Sequence, residues 1–187
     1  MPRSLGRFAA ILVCLCGFVL AADPAGVWLD VPFVKQEKNG CGAASVAMVM
    51  QFWQRQQGLP PAGSDATQIQ RTLYSSSAHG IYASDLERYL DKSGFRTFAF
   101  AGTRKDLRQH LEKGRPLIVA LKPGGRDPLH YVVVTGLDTE QNLILLNDPA
   151  ERKLQKQEMA GFEKEWSNAG HWTLLAVPRS EGASSAH

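Results

Sequence analysis

Three apolar runs in the second half of the chain place the strongest constraint on its fold. They are PLIVALK (116–122), HYVVVTGL (130–137) and LILLN (143–147), and turn-forming residues separate them. Runs of Val, Ile and Leu between turns are typical of β-strands. The DTEQN linker (138–142) is short enough for a hairpin, so the last two runs are predicted to pair in an antiparallel manner.

Helical patterns dominate the first half of the chain. Apolar residues after Cys41 recur at the spacing of one helix face, and this helix is expected to stop at Gly58. Three shorter helices are predicted over 65–74, 84–93 and 103–114. Asp65 and Ser84, each with a Gln or Glu three residues later, have the spacing of capping boxes. The remaining elements are an edge strand or extended entry segment over 29–34, strands over 95–101 and 171–177, and a short helix near 159–166. Helices first and an antiparallel sheet second predict an α+β fold.

The length and composition fit one compact domain. A chain of 187 residues can bury a hydrophobic core, and 44% hydrophobic with 21% charged residues is typical of a globular protein. We predict one domain over residues 23–178 and a disordered tail over 179–187.

Residues 1–22 have the layout of a secretory signal peptide. Arg3 and Arg7 precede an apolar run of 13 residues, and small residues follow the run. Because roughly 20 residues are needed to span a bilayer as a helix, cleavage after Ala21 or Ala22 is predicted rather than a permanent anchor. The protein is therefore expected to be exported to the periplasm or the medium.

The predicted cleavage leaves Cys41 as the only cysteine. Cys14 and Cys16 lie within the apolar run without the small residue expected before a lipidated cysteine, so a lipoprotein is the less favoured alternative. Cleavage also reduces the 21 basic residues to 19, against 18 acidic ones. Such a balance indicates no electrostatic partner, and no nucleic acid is expected. An unpaired Cys41 is an inert buried thiol, one half of an intermolecular bridge, or a reactive nucleophile.

The position of Cys41 favours the nucleophile. This cysteine lies between Gly40 and Gly42 at the predicted start of the long helix. Unpaired amides and the dipole at a helix N-terminus favour negative charge, and the thiolate is the form of cysteine that attacks carbonyl groups. The two glycines leave the sulfur approachable.

A thiol nucleophile also needs a base and a group that orients the base. His130 begins the most apolar strand, and Asp148 follows the strand predicted to pair with it, so the hairpin allows the two side chains to meet. Asn147 is the alternative to Asp148, and His171 is the main competitor of His130. The histidines lack the spacing of metal ligands, so neither a metal nor another cofactor is expected.

Four motifs together resemble a known family. They are VPFVKQ, a CGAAS helix start followed by AMVMQFW, the HYVVVTG strand and the NDP turn, within about residues 29–149. This combination resembles the C39 family of papain-like cysteine peptidases, also called bacteriocin-processing or double-glycine peptidases. The resemblance implies a papain-like fold in which an N-terminal helical part packs on a C-terminal antiparallel sheet. It also implies Cys41 as the nucleophile, His130 as the general base and Asp148 as the acid that orients the histidine. Gln36 resembles the family glutamine whose side-chain amide forms an oxyanion hole with the backbone amide of the nucleophile.

The chain departs from the family pattern in two respects. Gln36 lies five residues before Cys41, one fewer than in transporter-fused members, and Lys35 or Asn39 could orient differently to compensate. The membrane and ATPase domains of leader-cleaving exporters do not accompany the peptidase in this sequence, so double-glycine leaders need not be its substrate.

The resulting expectation is an exported bacterial cysteine peptidase that acts on a peptide or protein. Export by the signal peptide is the one membrane contact expected, and the oligomeric state is left open. Two alternatives stay open as well: an acyl transferase or amidase acting on a nonpeptide or cell-wall substrate, and an inert binding module on the same fold.

Overall fold

The computed structural model of the chain describes residues 26–124 and 128–179. The predicted signal peptide (1–22) and the predicted tail beyond Arg179 lie outside the described residues. Arg179 itself is placed, and its backbone N–H donates to the carbonyl of Gly94 over 3.0 Å. Within the described ranges, no helix has the length and apolar character that crossing a membrane requires.

The described residues form five helices around a seven-stranded sheet. The helices are α1 (Cys41–Gln56), α2 (Ala66–Leu73), α3 (Ala83–Lys92), α4 (Arg104–Glu112) and α5 (Met159–Asn168). The strands are β1 (Gly26–Trp28), β2 (Phe95–Ala101), β3 (Leu117–Leu121), β4 (His130–Asp138), β5 (Leu143–Asn147), β6 (Gln155–Glu158) and β7 (Trp172–Pro178). The strand order is β2-β7-β3-β4-β5-β6, β1 pairs with β4, and the pairs are antiparallel.

The predicted α+β architecture is confirmed. The three apolar runs are β3, β4 and β5, and β4 and β5 form the predicted hairpin with Asp138 opposite Leu143. The long helix begins at Cys41 and ends before Gly58. The strands predicted over 95–101 and 171–177 correspond to β2 and β7, which pair with each other.

Of the two predictions for residues 29–34, the edge strand is wrong, and the segment enters the fold outside any strand. The short strand at this point is β1, which ends at Trp28. Leu29 still donates its N–H to the carbonyl of Thr135 over 2.7 Å, but the chain then leaves the sheet. Pro32, which has no N–H to donate, lies in this departing segment.

Two further local predictions differ from the structure. Helix α3 begins at Ala83, with Tyr82 at the N-cap and no capping side chain, so Ser84 does not form the predicted capping box. Strand β6 has the sequence QKQE and was not predicted, because a polar edge strand lacks the apolar pattern that marks a strand. By contrast, Thr103 and Asp106 form a complete capping box at the start of α4.

Helices cover both faces of the sheet, so each face has its own hydrophobic core. On one face, α1, α2 and α3 pack against Ile118 of β3 and Val133 of β4. On the other face, α4 and α5 pack against Val119 of β3 and Val132 of β4. Burial on both faces explains why β3 and β4 read as continuous apolar runs rather than alternating ones.

Helix α1 is fixed against the start of β4. The buried hydroxyl of Ser45 donates to the carbonyl of Tyr131 over 3.1 Å. A Cβ at Gly42 would lie 3.1 Å from Leu86 and 3.4 Å from Tyr131, so a larger residue here would push the helix away from the strand. The close approach places Cys41, the first residue of α1, beside His130, the first residue of β4.

Candidate active site

A tight turn before α1 presents the thiol of Cys41. The N–H of Gly40 donates to the carbonyl of Glu37 over 3.0 Å, and Asn39 adopts a left-handed conformation with φ of 58°. A Cβ at Gly40 would lie 3.1 Å from that same carbonyl, so glycine suits the turn. No side chain of the described residues caps α1. The first amides of the helix therefore point toward the half-exposed sulfur without a capping partner.

His130 and Asp148 are hydrogen-bonded to each other, as the hairpin predicted. The distance from His130 Nε2 to Asp148 Oδ1 is 2.8 Å. Asp148 is 9% exposed, and the same Oδ1 accepts the N–H of Ala150 over 2.9 Å. The carboxylate is therefore held in one orientation by the turn that follows β5. Since it engages Nε2, the Nδ1 atom of the imidazole is the one left to face Cys41.

The environment of His130 favours the imidazolium. Burial, the largest single effect, lowers the pKa of the ring. Hydrogen bonds with Asp148 and Cys41, together with attraction to their negative charges, outweigh burial and raise the pKa of His130 to about 10. A raised pKa means that the ring carries a proton at neutral pH, as a thiolate–imidazolium pair requires.

Two neighbouring groups have shifted pKa values that suit this pair. Burial raises the pKa of Asp148, but the hydrogen bond and the charge of His130 outweigh it and hold the pKa below its ordinary value. Burial, and then the charge of Cys41, raise the pKa of Tyr131. Asp148 is thus an anion and Tyr131 a neutral phenol at neutral pH.

Asn147, the alternative to Asp148, faces a different part of the structure. Its fully buried side-chain amide donates to the carbonyls of Val31 (3.1 Å) and Pro32 (3.4 Å). The amide oxygen of Asn147 accepts the N–H of Leu154 over 3.0 Å. In this arrangement Asn147 does not contact the imidazole but fixes the segment that leads to Gln36.

Gln36 lies in the same cleft as Cys41 and His130. Its backbone N–H donates to the carbonyl of Pro149 over 2.9 Å. Its side-chain oxygen is buried and has no hydrogen-bond partner among the described residues. The cleft has a volume of about 510 Å³. The turn at 37–40 therefore brings Gln36 into the same cleft as Cys41 despite the shorter spacing.

The three consecutive residues Asn147, Asp148 and Pro149 hold three parts of this site. Asn147 binds the segment before Gln36, Asp148 binds the imidazole, and the carbonyl of Pro149 binds the backbone of Gln36. The sequence pattern indicated Asn147 only as an alternative to Asp148 for orienting the imidazole. The one available signal was a polar residue at the end of an otherwise apolar strand, which does not show what the amide contacts.

The other histidines lie in different surroundings. His171 binds Glu163 over 2.9 Å and packs against the Trp166 ring. The Nδ1 of His110 is buried, and burial lowers the pKa of the ring. His79 lines the cleft itself, in a left-handed conformation with φ of 48°. No group of three or more His, Cys, Asp or Glu residues in the described part of the chain could hold a metal ion.

A family model covers most of the chain. The model of the Peptidase_C39 like family matches residues 28–173. The chain belongs to this family. The predicted resemblance to C39-like cysteine-type peptidases is therefore confirmed. Among curated protein sequences, no match to the chain was found.

Solved structures of cysteine peptidases share the fold of this C39-like chain. A C39-like peptidase from Bacillus anthracis aligns with a TM-score of 0.67 and 19% identity, over 83% of this chain and 99% of that one. A double glycine motif protease from an AMS/PCAT transporter, solved in complex with the leader peptide, aligns with a TM-score of 0.59 and 21% identity, over 82% and 95%. Xylellain, a cysteine protease from Xylella fastidiosa, aligns with a TM-score of 0.63 and 14% identity, over 86% and 88%. These likenesses confirm the predicted papain-like fold.

Replacing Asn147 with alanine is expected to lower the free energy of unfolding by about 2 kcal/mol. The change leaves the carbonyl of Val31 and the N–H of Leu154 without partners, and an unsatisfied buried group costs roughly 1–3 kcal/mol. Urea denaturation measures the difference. Asn168→Ala is the matched control, because Asn168 is exposed and its amide binds only the carbonyl of Lys122. An Asn147→Ala variant as stable as the parent would contradict the clamping role.

Replacing Asp148 with asparagine is expected to lower the pKa of His130. The change keeps the size of the side chain but removes a negative charge that, together with Cys41, outweighs burial and raises this pKa to about 10. NMR titration of the imidazole protons measures the shift, and His130→Gln assigns the signal. In the parent, the raised pKa adds stability that is fully present below pH 6.5 and lost as pH rises through about 10. An unchanged midpoint in Asp148→Asn would show that Asp148 does not charge the ring.

Proposed function

We propose that this member of the Peptidase_C39 like family is an exported bacterial enzyme that hydrolyses peptide bonds through a Cys41, His130 and Asp148 triad. Gln36 and the backbone N–H of Cys41 form its oxyanion hole. One observation carries the proposal: the imidazole of His130 interacts with both Asp148 and Cys41 at the uncapped start of α1. The leader peptide in the complex of the double glycine motif protease supports a peptide as substrate.

The first half of the reaction forms an acyl-enzyme. The thiolate of Cys41 attacks the substrate carbonyl carbon, and the carbonyl oxygen becomes an oxyanion. The N–H of Cys41, which faces no capping group, donates to this oxyanion together with the side-chain amide of Gln36. The imidazolium of His130 then gives its proton to the leaving amine as the C–N bond breaks.

The second half of the reaction releases the acyl group. Neutral His130 takes a proton from water, and the resulting hydroxide attacks the thioester carbon. Breakage of the C–S bond returns the thiolate of Cys41 and the imidazolium, and the carboxylic acid leaves. Asp148 keeps the ring in one orientation through both halves, because its own position is fixed by Ala150.

Export is proposed on the basis of residues 1–22. Their basic start, apolar run and small residues favour a cleaved signal peptide. After this cleavage, Cys41 is the single cysteine of the chain. An internal disulfide therefore cannot block its thiol in an oxidising compartment.

Replacement of Cys41 by alanine tests the proposed function. Cleavage of a mixed peptide pool, followed by mass spectrometry, is expected to fall by about 10⁴-fold or more, because the chemistry loses its nucleophile. The thermal unfolding midpoint is expected to stay close to that of the parent. Equal cleavage by Cys41→Ala and the parent would overturn the mechanism.

The parent and Cys41→Ala also separate the two alternative functions. If the parent turns over peptidoglycan fragments but not peptides, and Cys41→Ala does not, the result would favour an amidase or acyl transferase. An inert binding module would react with iodoacetamide no faster than a free cysteine does at the same pH.

Replacement of Gln36 by alanine is expected to lower kcat about 10²- to 10³-fold with little change in KM, since the lost donor acts on charge that develops in the transition state. Lys35→Ala is the matched control, because Lys35 lines a separate cavity on the other side of Gln36. Asn39→Ala tests the alternative donor, since Asn39 lines the cleft. A larger loss in Asn39→Ala than in Gln36→Ala would transfer the oxyanion role to Asn39.

A further inference from the structure

The cleft that contains Cys41 and His130 extends well beyond these two side chains. Its walls are the segment 78–83, which leads into α3, and the segment Pro128–Tyr131, which leads into β4. Its volume of about 510 Å³ is typical of sites that bind small molecules or large side chains. The proposed reaction uses only one end of this space.

Apart from Cys41 and His130, the described residues that line the cleft are mainly apolar. The main apolar side chains are Ala78, Ile81, Tyr82, Pro128, Leu129 and Tyr131. None of the described residues that line the cleft is Asp, Glu, Lys or Arg. Away from the Cys41 and His130 pair, a charged group would lose hydration without an ionic partner among the described lining residues, whereas an apolar group would gain from leaving water.

Two large side chains on opposite walls are exposed to solvent next to Cys41 and His130. Tyr82 is 48% exposed and Leu129 is 45% exposed. Apolar area of this size at the rim of a cleft is available for a ligand to cover. Because it is continuous with Cys41 and His130, a ligand that covers it is the substrate itself.

The wall that carries Tyr82 is held in place before any substrate binds. The Tyr82 hydroxyl lies 3.1 Å from the hydroxyl of Ser77, which in turn lies 2.8 Å from that of Ser75. Ser75 and Gly80 form an isolated β-bridge, with the N–H of Ser75 donating to the carbonyl of Gly80 over 2.8 Å. A wall fixed in advance reduces the entropy cost of binding.

We propose that this cleft binds a large apolar or aromatic side chain located within two residues of the scissile bond. The substrates are therefore peptides that carry such a side chain, not segments with two glycines at the cleavage site. The inference rests on the proposed peptidase function. Two glycines offer no side chain to bury, whereas a Phe or Leu side chain can cover Ile81, Tyr82 and Leu129.

A library of peptides of random sequence tests the proposal with the full chain. Mass spectrometry of the products is expected to show Phe, Leu, Tyr or Met enriched at one position within two residues of the cleaved bond. Synthetic peptides that differ only at this position then give kcat/KM. The Phe or Leu peptide is expected to exceed the Ala and Gly peptides at least about tenfold, since a buried methylene is worth roughly 10- to 200-fold. The Asp peptide is expected to be the poorest.

Substitutions in the walls test whether this cleft is the source of the preference. The only described atoms within 4 Å of a Cβ at Gly80 are the carbonyl oxygens of Ala78 and Asn39, so Gly80→Leu can extend into the cleft without a close contact. This variant is expected to lose at least about tenfold in kcat/KM for the Phe peptide and less than threefold for the Gly peptide. Leu129→Ala is expected to weaken the preference for Phe over Ala several-fold. Leu59→Ala is the matched control, because Leu59 is 55% exposed and does not line the cleft.

The outcomes separate this inference from the function on which it rests. Alkylation of Cys41 by iodoacetamide and the thermal midpoint report whether each variant is folded with an intact site. Cleavage that depends on Cys41 but shows no apolar preference, or prefers two glycines, would overturn the inference and leave the peptidase standing. A preference that survives both Gly80→Leu and Leu129→Ala would place the binding site elsewhere. No cleavage of any peptide by the parent would overturn both proposals.

Discussion

The contact between the start of α1 and the start of β4 determines the rest of the site. The Ser45 hydroxyl binds the Tyr131 carbonyl, and Gly42 permits the helix to approach Leu86 and Tyr131. Both elements belong to the same hydrophobic core, so their relative position is set by buried apolar packing and not by the catalytic groups. Cys41 and His130 are the first residues of these two elements, and packing of the core therefore places the sulfur beside the imidazole.

The turn after β5 connects Cys41 and His130 to the segment that contains Gln36. Because β5 pairs with β4, Asn147 and Asp148 arrive at the end of the hairpin where β4 begins. The next residue, Pro149, binds the backbone of Gln36, and Asn147 binds the segment that precedes Gln36. A shift in the register of the hairpin would therefore displace Asp148 and Gln36 together. The geometry of the proposed site depends on this register, which the short turn between Asp138 and Leu143 fixes.

Local patterns predicted the parts of the fold that local physics determines. The periodicity after Cys41, the apolar runs of β3 to β5 and the short DTEQN turn each specify an element or a pairing within a few residues, and the meeting of His130 with Asp148 follows from that turn. The edge strand β6 has no apolar pattern, and Leu29 remains bonded to the sheet through a partner distant in sequence, Thr135, before the chain leaves. The contacts of Asn147 with Val31 and Pro32 span more than 100 residues in sequence, so no short window of sequence contains both partners.

The walls of the cleft were not predicted, because they come from two segments that are distant in sequence, 78–83 and 128–131. The catalytic groups lie at the ends of buried elements, where a change disturbs the core. The wall over 75–83 lies between α2 and α3 and is held mainly by serine hydroxyls and one β-bridge. Substitutions at exposed positions of this wall, such as Tyr82, are expected to alter which side chain the cleft accepts at little cost to folding, whereas Ile81 belongs to the hydrophobic core. Under the proposed preference, residues other than Cys41 and His130 determine selectivity, so the selectivity of the site can differ from that of relatives with the same fold.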